Sequence, residues 1–199
     1  MSGQHTVINL VEVRTIMTNQ ALLIIDYTND FVADSGALTC GQPGQLLAPT
    51  ITELAQQAQQ AGDWVLLPTD VHTPDDPYHP ESRLFPTHNV AGTWGHELYG
   101  PVKDWFNQSQ SADNVWQFAK TRYSAFAGTD LDLRLRERRV DTLVLTGVCT
   151  DICVLHTAVD AYNLGYQLVV PKNAVASFDA TGHTWALRHF ETVLGAEII

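Results

Sequence analysis

The stretch TLVLTGVCTDICVLHTAVDAYNL, residues 142–164, places an apolar run directly before a segment with helical spacing. A strand-to-helix corner of this kind is where open α/β sheets usually carry their chemistry. Cys153 falls in the first turn of the helical segment, where unpaired backbone N–H groups and the positive end of the helix dipole favour a thiolate. The stretch therefore predicts an α/β fold with Cys153 as a candidate nucleophile.

Outward from this corner, apolar runs alternate with helical segments along the chain. Continuous apolar runs are typical of strands that are buried on both faces of a parallel sheet. Strands are predicted at residues 21–25, 64–69, 114–119, 142–145, 166–170 and 192–198, and helices at 46–61, 102–107, 130–138, 151–163 and 179–191. The pattern predicts a three-layer, doubly wound α/β fold with about six mostly parallel strands and helices on both faces.

Length and composition limit the class of protein. At 199 residues with a formal net charge of −11, the chain fits one domain and does not have the basic footprint of a nucleic-acid or anionic-membrane binder. Three cysteines without metal-finger spacing argue against a disulfide framework, and Cys40 is interpreted as structural. The cysteine content fits a reducing compartment, no apolar run is long enough to span a bilayer, and no signal-peptide pattern is recognised, so a cytoplasmic location is expected.

The amino-terminal residues have no clear period. We expect residues 1–20 to form an extension and residues 21–199 to form the domain. A second methionine, Met17, lies just before the first strong strand. The first sixteen residues are therefore interpreted either as a mobile tail or as sequence upstream of the natural start.

Ionisable residues lie at or just beyond the ends of several predicted strands, namely Asp26, Asp70, Lys120 and Cys153. Singly, such residues are usually helix caps, turn formers, solvated side chains or small core residues. The carboxyl ends of the strands meet along one crevice, however, so the four are expected to lie near one another. There Asp26 would be a base, Lys120 a cation, and the N–H groups of Cys149 and Cys153 an oxyanion site for acyl transfer.

A long loop between residues 70 and 100 is rich in potential metal ligands. Loops of this length inside a compact domain are usually functional. Asp70 and His72 alternate along an extended segment and so point the same way, and His79, Glu81 and His88 offer further ligands. Such a nitrogen and oxygen set suits zinc, iron(II) or manganese, although a polar surface loop without metal can have the same composition.

Four motifs in this order give the chain a family resemblance: IDYTNDF at 25–31, DVH at 70–72, KTRYSAF at 120–126 and GVCTDICV at 147–154. From about Ala21 to the carboxyl terminus, the chain resembles the isochorismatase-like cysteine hydrolases, and among them the nicotinamidases (pyrazinamidases). Tyr27 and Thr28 replace the aliphatic residue and glutamine that are common in the first motif, which affects what packs behind Asp26.

The resemblance implies a catalytic triad of Asp26, Lys120 and Cys153. It also implies a cis peptide at Val148-Cys149 that forms the oxyanion site, with support from Asp30 and from Thr150 or Asp151. For a flat substrate ring, the candidate walls are Phe31, Phe85 and Tyr123.

The resemblance further implies one divalent metal ion that binds the pyridine nitrogen of the substrate, with zinc preferred and iron or manganese as alternatives. In one bacterial branch of the family the ligands correspond to Asp70, His72, Glu81 and His88. Another branch uses a histidine near the position of His79, which leaves His79 as the alternative to Glu81, the preferred ligand.

The implied activity is hydrolysis of nicotinamide, or of a pyrazinamide-like substrate, to the acid and ammonia, in NAD salvage and in a homo-oligomer. Three alternatives remain. The first is a metal-independent amide hydrolase of the same superfamily, and the second is a non-catalytic binding protein with this fold. The third is a thiol redox protein that uses Cys149 and Cys153, which the sharp corner between the two disfavours.

Overall fold

The computed structural model describes residues 19–199, which form one parallel sheet with helices around it. The strands are β1 (Gln20–Ile25), β2 (Trp64–Asp70), β3 (Val115–Lys120), β4 (Thr142–Val148), β5 (Gln167–Val170), β6 (Val175–Ala176) and β7 (Glu197–Ile198). The α-helices are α1 (Asn29–Val32), α2 (Gln42–Gln45), α3 (Ala48–Ala61), α4 (Gly100–Ser109), α5 (Leu131–Glu137), α6 (Leu155–Asn163) and α7 (Ala180–Thr192). Two 3₁₀ turns, Pro80–Arg83 and Trp94–His96, and a π-helical turn, Thr150–Val154, complete the described elements.

The strand order is β3-β2-β1-β4-β5-β7, and β6 pairs with β4 beyond the end of β5. All of these pairs are parallel. The predicted three-layer α/β class is therefore confirmed, but the sheet has seven strands and not six. The additional strand, β6, has two residues, and an element this short leaves no periodic pattern in a sequence.

Several predicted boundaries were wrong. Two of them lie at the strand-to-helix corner after β4, and the others lie near the end of the chain. Strand β4 continues to Val148, three residues beyond its apolar run. The helix predicted at 151–163 is divided into the π-helical turn and α6. Helix α7 extends to Thr192, and β7 is only two residues long.

Alternation along the strands divides the core into two layers. Leu23 and Ile25 of β1 face one cluster, to which α5, α6 and α7 contribute, whereas Leu22 and Ile24 face the other, to which α3 and α4 contribute. Because the central strand is buried on both faces, its side chains can be apolar throughout, as the sequence pattern predicted.

The register of the parallel strands aligns their carboxyl ends. Asp70, the last residue of β2, is the register partner of Lys120, the last residue of β3. Ile25, the last residue of β1, pairs with Gly147 of β4. Gly147 has a φ of +104°, and a Cβ there would collide with the carbonyl oxygen of Ile25, so only glycine allows this approach of β4 to β1.

The 71–99 segment between β2 and α4 lies over this edge of the sheet. An isolated bridge joins Thr28, after β1, to Leu98 and holds the segment against the strand ends, and a second bridge, between His72 and Val90, lies within the segment. Within residues 19–199, no helix is long and apolar enough to cross a membrane. The interpretation of the first sixteen residues falls outside the described part of the chain.

Candidate active site

The loop after β4 carries Cys153. The Val148-Cys149 peptide bond is cis, as the resemblance implied. Cys149 is followed by the π-helical turn, and the N–H groups of Ile152 and Val154 both donate to the Cys149 carbonyl at 3.1 Å. We refer to residues 149–154 as the Cys153 turn. Single π-helical turns are rare and occur frequently at functional sites.

Lys120 joins the predicted catalytic residues. Its side chain is fully buried, and its Nζ lies 2.7 Å from Asp26 Oδ2 and 3.8 Å from Cys153 Sγ. Nζ also donates to the Arg122 carbonyl at 3.0 Å. The backbone N–H of Asp70 donates to Asp26 Oδ1 at 2.7 Å, which fixes the orientation of that carboxylate. The four residues predicted from the strand ends thus lie together at one edge of the sheet.

Burial and charge set the protonation of this cluster. Burial raises the pKa of Asp26 to about 6, and the nearby Lys120 ammonium limits that rise. Burial would lower the pKa of Lys120, but the charges of Asp26 and Asp70, the nearby Cys153 and the hydrogen bond to Asp26 together outweigh burial and hold that pKa above its usual value. At neutral pH the site therefore contains a carboxylate and an ammonium in contact.

The Cys153 sulfur differs from the expectation. Burial raises the pKa of the Cys153 thiol well above its ordinary value, although the Lys120 charge acts in the opposite direction. The expectation that the start of the helix favours a thiolate is wrong for the resting site, because desolvation outweighs it. The cysteine holds its proton until an adjacent base accepts it.

The metal-ligand candidates also converge. Suitable atoms of Asp70, His72, Glu81 and His88 all lie within 4.8 Å of one another, and all four residues are buried. His72 Nε2 lies 2.8 Å from Asp70 Oδ2, and His88 Nε2 lies 3.5 Å from the same oxygen and 3.6 Å from Glu81 Oε2.

The chemistry of these donors fits a divalent cation. His88 Nδ1 donates to the Pro86 carbonyl at 2.8 Å, so its Nε2 faces the carboxylates of Asp70 and Glu81 without a hydrogen bond to any residue in 19–199. Burial lowers the pKa of His88, but these two carboxylates outweigh burial and raise it to about 10. A buried imidazole nitrogen that faces two carboxylates requires a proton or a cation between them. Two imidazoles and two carboxylates are a set that zinc, iron(II) and manganese accept.

His79 lies beside this set but is engaged elsewhere. Its Nε2 donates to the Thr121 carbonyl at 2.9 Å, and its Nδ1 accepts from the Glu81 N–H at 3.3 Å. Its ring meets that of His72 edge-on, with centroids 4.4 Å apart. Because both nitrogens are used, the geometry favours Glu81 over His79 as the third ligand.

An apolar cavity adjoins Cys153. The predicted walls Phe31, Phe85 and Tyr123 all line it, and Leu38, Ile152 and Phe178 line it as well. The cavity has a volume of about 20 Å³, which is room for little more than one water molecule. Phe178 is half exposed, so it lies on the solvent side of the cavity. Sequence reasoning missed Phe178, which follows β6 as an isolated aromatic residue outside every motif.

Residues of the first motif anchor the 71–99 segment. Asp30 Oδ2 accepts from the Asn89 N–H at 2.7 Å, and Thr28 Oγ1 donates to Asn89 Oδ1 at 2.9 Å. Tyr27 is fully buried, and its hydroxyl donates to the Gly44 carbonyl at 2.7 Å. The unusual Tyr27-Thr28 pair thus serves packing and loop attachment near Asp26.

The other two cysteines contact each other. Cys40 Sγ lies 3.5 Å from Cys149 Sγ, and both thiols are buried and free. This contact and burial raise the pKa of the Cys149 thiol well above its ordinary value. The Cys149 side chain thus packs against Cys40, in keeping with a structural role for Cys40.

A buried cysteine in contact with an ammonium, which in turn contacts a carboxylate, at the carboxyl edge of a parallel sheet, defines an α/β protein with a cysteine-hydrolase type of site. The chain belongs to the isochorismatase family, because residues 20–199 match the Isochorismatase domain.

Comparison with similar proteins indicates the type of hydrolase within this family. The chain is 55% identical over 179 residues to the isochorismatase family protein PncA of Bacillus subtilis (strain 168), covering 90% of this chain and 98% of that protein. A crystal structure of nicotinamidase/pyrazinamidase PncA from Bacillus subtilis has a TM-score of 0.89 at 56% identity, covering 90% and 98% of the two chains. The pyrazinamidase/nicotinamidase of Streptococcus mutans UA159 has a TM-score of 0.88 at 54% identity, covering 90% and 99%. These similarities confirm the predicted family and the enzyme class, an amide hydrolase of the nicotinamidase type.

A more distant structure bears on the metal. The pyrazinamidase of Pyrococcus horikoshii, solved in complex with zinc, has a TM-score of 0.79 at 26% identity and covers 91% of this chain and 98% of its own.

Proposed function

We propose that this protein hydrolyses nicotinamide to nicotinate and ammonia through a cysteine thioester, as a step of NAD salvage. The observation that carries the proposal is the position of Lys120 Nζ, 2.7 Å from the Asp26 carboxylate and 3.8 Å from the Cys153 sulfur. A base, a cation and a nucleophile in contact are what thiol attack on an amide requires.

The roles follow from the protonation of the cluster. Asp26 accepts the Cys153 proton as the sulfur attacks the carboxamide carbon. It then gives that proton to the departing nitrogen, which leaves as ammonia. Water attacks the resulting thioester and loses a proton to Asp26, nicotinate leaves, and the Cys153 sulfur regains a proton. With a pKa of about 6, Asp26 is ionised at neutral pH and is still basic enough for these transfers.

Two backbone N–H groups would stabilise the negative oxygen of the tetrahedral intermediate. They belong to Cys149, which follows the cis peptide bond, and to Cys153. One donor of this kind is worth about 10²- to 10³-fold in rate.

Substrate placement is assigned to the aromatic walls and to the metal set. The cavity beside Cys153 is smaller than a pyridine ring, so Phe178 on its solvent side would have to move outward before Phe31, Phe85 and Tyr123 could hold a flat ring there. Asp70, His72, Glu81 and His88 would hold one divalent ion, with zinc preferred and iron or manganese as alternatives. Such an ion supplies a Lewis acid that can bind a ring nitrogen and orient the ring. The zinc complex of the Pyrococcus horikoshii pyrazinamidase supports this assignment.

The test compares Cys153→Ala with Cys40→Ala, a second buried cysteine outside the proposed machinery. Ammonia release from nicotinamide should fall at least about 10³-fold in Cys153→Ala and stay within about threefold of wild type in Cys40→Ala. Rapid quenching and mass spectrometry should detect the nicotinoyl thioester on the Cys153 peptide. Full ammonia release by Cys153→Ala would contradict the mechanism.

A substrate panel addresses the nearest alternative. Pyridine carboxamides should lose turnover when a chelator removes the metal, and should regain it with zinc. Equal turnover of amides that lack a ring nitrogen, with and without chelator, would instead identify a metal-independent amide hydrolase. Assembly into a homo-oligomer and a cytoplasmic location remain predictions.

A further inference from the structure

The start of α7 packs against the Cys153 turn, although α7 lies outside every motif of the sequence. Thr150, the first residue of the π-helical turn, is fully buried. Its Oγ1 lies 2.8 Å from Nδ1 of His183, in the first turns of α7, and the two atoms share a hydrogen bond. Loss of this bond would leave a buried hydroxyl without a partner, so the contact is a firm attachment.

A second contact joins the same two elements. A Cβ at Gly182 would collide with the Asp151 carboxylate, so the absence of a side chain lets Asp151 lie directly on the start of α7. The positive end of the helix dipole favours a carboxylate at this place. The helix start is itself fixed, because the Asp179 side chain accepts from the Thr181 N–H at 2.9 Å.

The other contacts of the Cys153 turn lie at different residues. The Ile152 carbonyl accepts from His156 Nδ1 at 2.7 Å, Cys149 Sγ lies against Cys40 Sγ, and Cys153 Sγ lies near Lys120 Nζ. Thr150 and Asp151 are the residues of the turn that contact the start of α7. Burial lowers the pKa of His183, and the Asp151 charge only partly opposes this, so the imidazole is neutral at neutral pH.

We propose that His183 is a positioning residue: through Thr150 it holds the Cys153 turn so that the sulfur faces Lys120 and the N–H groups of Cys149 and Cys153 point into the cavity. The effect on turnover rests on the proposed function, whereas the effect on the Cys153 thiol does not. A displacement of about 1 Å at a reacting atom can cost about 100-fold in rate, so a small shift of the turn has a large effect.

The experiment uses two variants that remove the contact, His183→Leu and Thr150→Val, and their double variant. His183→Asn is the conservative variant, because an asparagine amide can occupy the place of Nδ1. The matched controls are His189→Leu, at a histidine that stacks on Trp185, and Thr184→Val, at an exposed threonine of the same helix.

Two measurements are made on each folded protein: the rate at which iodoacetamide alkylates Cys153, followed on its peptide by mass spectrometry, and kcat and KM for nicotinamide. We expect the alkylation rate to change at least fivefold in each single variant, because the sulfur leaves its buried position beside Lys120, and kcat to fall about 10- to 100-fold, with KM within about threefold of wild type. The double variant should lose no more than the singles, because both remove one shared contact. His183→Asn should recover most of both rates, and the controls should match wild type.

The proposal is overturned if His183→Leu lowers only the melting temperature and leaves both rates unchanged, or if the losses in the double variant multiply. It is also overturned if His183→Asn is as impaired as His183→Leu. If the wild type releases no ammonia from nicotinamide, but the single and double variants show the same non-additive change in alkylation, the proposed function is refuted and the role of His183 is supported.

Discussion

The assignment of Glu81, and not His79, to the metal set can be tested with two matched substitutions. Glu81 Oε2 lies 3.6 Å from His88 Nε2 inside the buried set, whereas both nitrogens of His79 are engaged outside it. Glu81→Gln keeps the shape of the side chain and removes its charge. His79→Gln removes an imidazole that only orients the ligands. Glu53→Gln, on the exposed surface of α3, is the control.

The magnitudes follow from the linkage of binding to stability. At a zinc concentration 100-fold above the dissociation constant, the ion stabilises the wild type by about 2.7 kcal/mol, or roughly 5 to 11 °C in a domain of this size. A loss of about 100-fold in affinity on removal of a ligand would leave about 0.4 kcal/mol, or roughly 1 °C, for Glu81→Gln. Loss of an orienting residue typically costs about tenfold in affinity, which would leave about 1.4 kcal/mol, or roughly 3 to 6 °C, for His79→Gln.

The assay is thermal unfolding of chelator-stripped protein titrated with zinc, with bound metal counted by elemental analysis. The order of zinc-dependent shifts should be wild type and Glu53→Gln, then His79→Gln, then Glu81→Gln. A full shift in Glu81→Gln, or a shift lost in His79→Gln as completely as in Glu81→Gln, would refute the assignment.

Three further substitutions test the frame of the site. Tyr27→Phe leaves the buried Gly44 carbonyl without its donor and should lower the free energy of unfolding by about 1–3 kcal/mol in urea titrations, where an unchanged midpoint would count against the bond. Gly147→Ala should cost at least about 3 kcal/mol in the same titration, because of its positive φ and the collision with Ile25; wild-type stability would contradict the close approach of β4 to β1. Phe178→Ala should raise kcat/KM for ring-substituted nicotinamides about tenfold relative to nicotinamide, and an unchanged ratio would show that Phe178 does not limit the cavity.

The strand-end residues could be placed from the sequence because a parallel sheet brings the carboxyl ends of its strands to one edge. The apolar runs gave the positions of β1, β2 and β3. The residue at the end of each strand, or directly after it, could then be read from the sequence. This is why Asp26, Asp70 and Lys120 were expected together. The alternation of Asp70 and His72 in an extended segment likewise predicted their common direction.

Features that depend on tertiary contacts could not be predicted from the sequence. The thiol pKa of Cys153 is set by desolvation from several elements, and the start of a helix says nothing about that burial. Phe178 and His183 meet the site only because α7 returns to it, more than 20 residues after Cys153. A single glycine such as Gly182 gives no signal until the carboxylate that lies on it is known.

The main chain and the side chain of Asp70 interact with different parts of the site. Its main-chain N–H donates to the Asp26 carboxylate, whereas its side chain lies among the metal-ligand candidates. Any residue except proline can supply that N–H, so exchange of the side chain at position 70, together with the ligands from the 71–99 segment, would leave the hydrogen bond to Asp26 in place. The hydrogen bond that orients the base is therefore independent of the side chains that form the metal-ligand set.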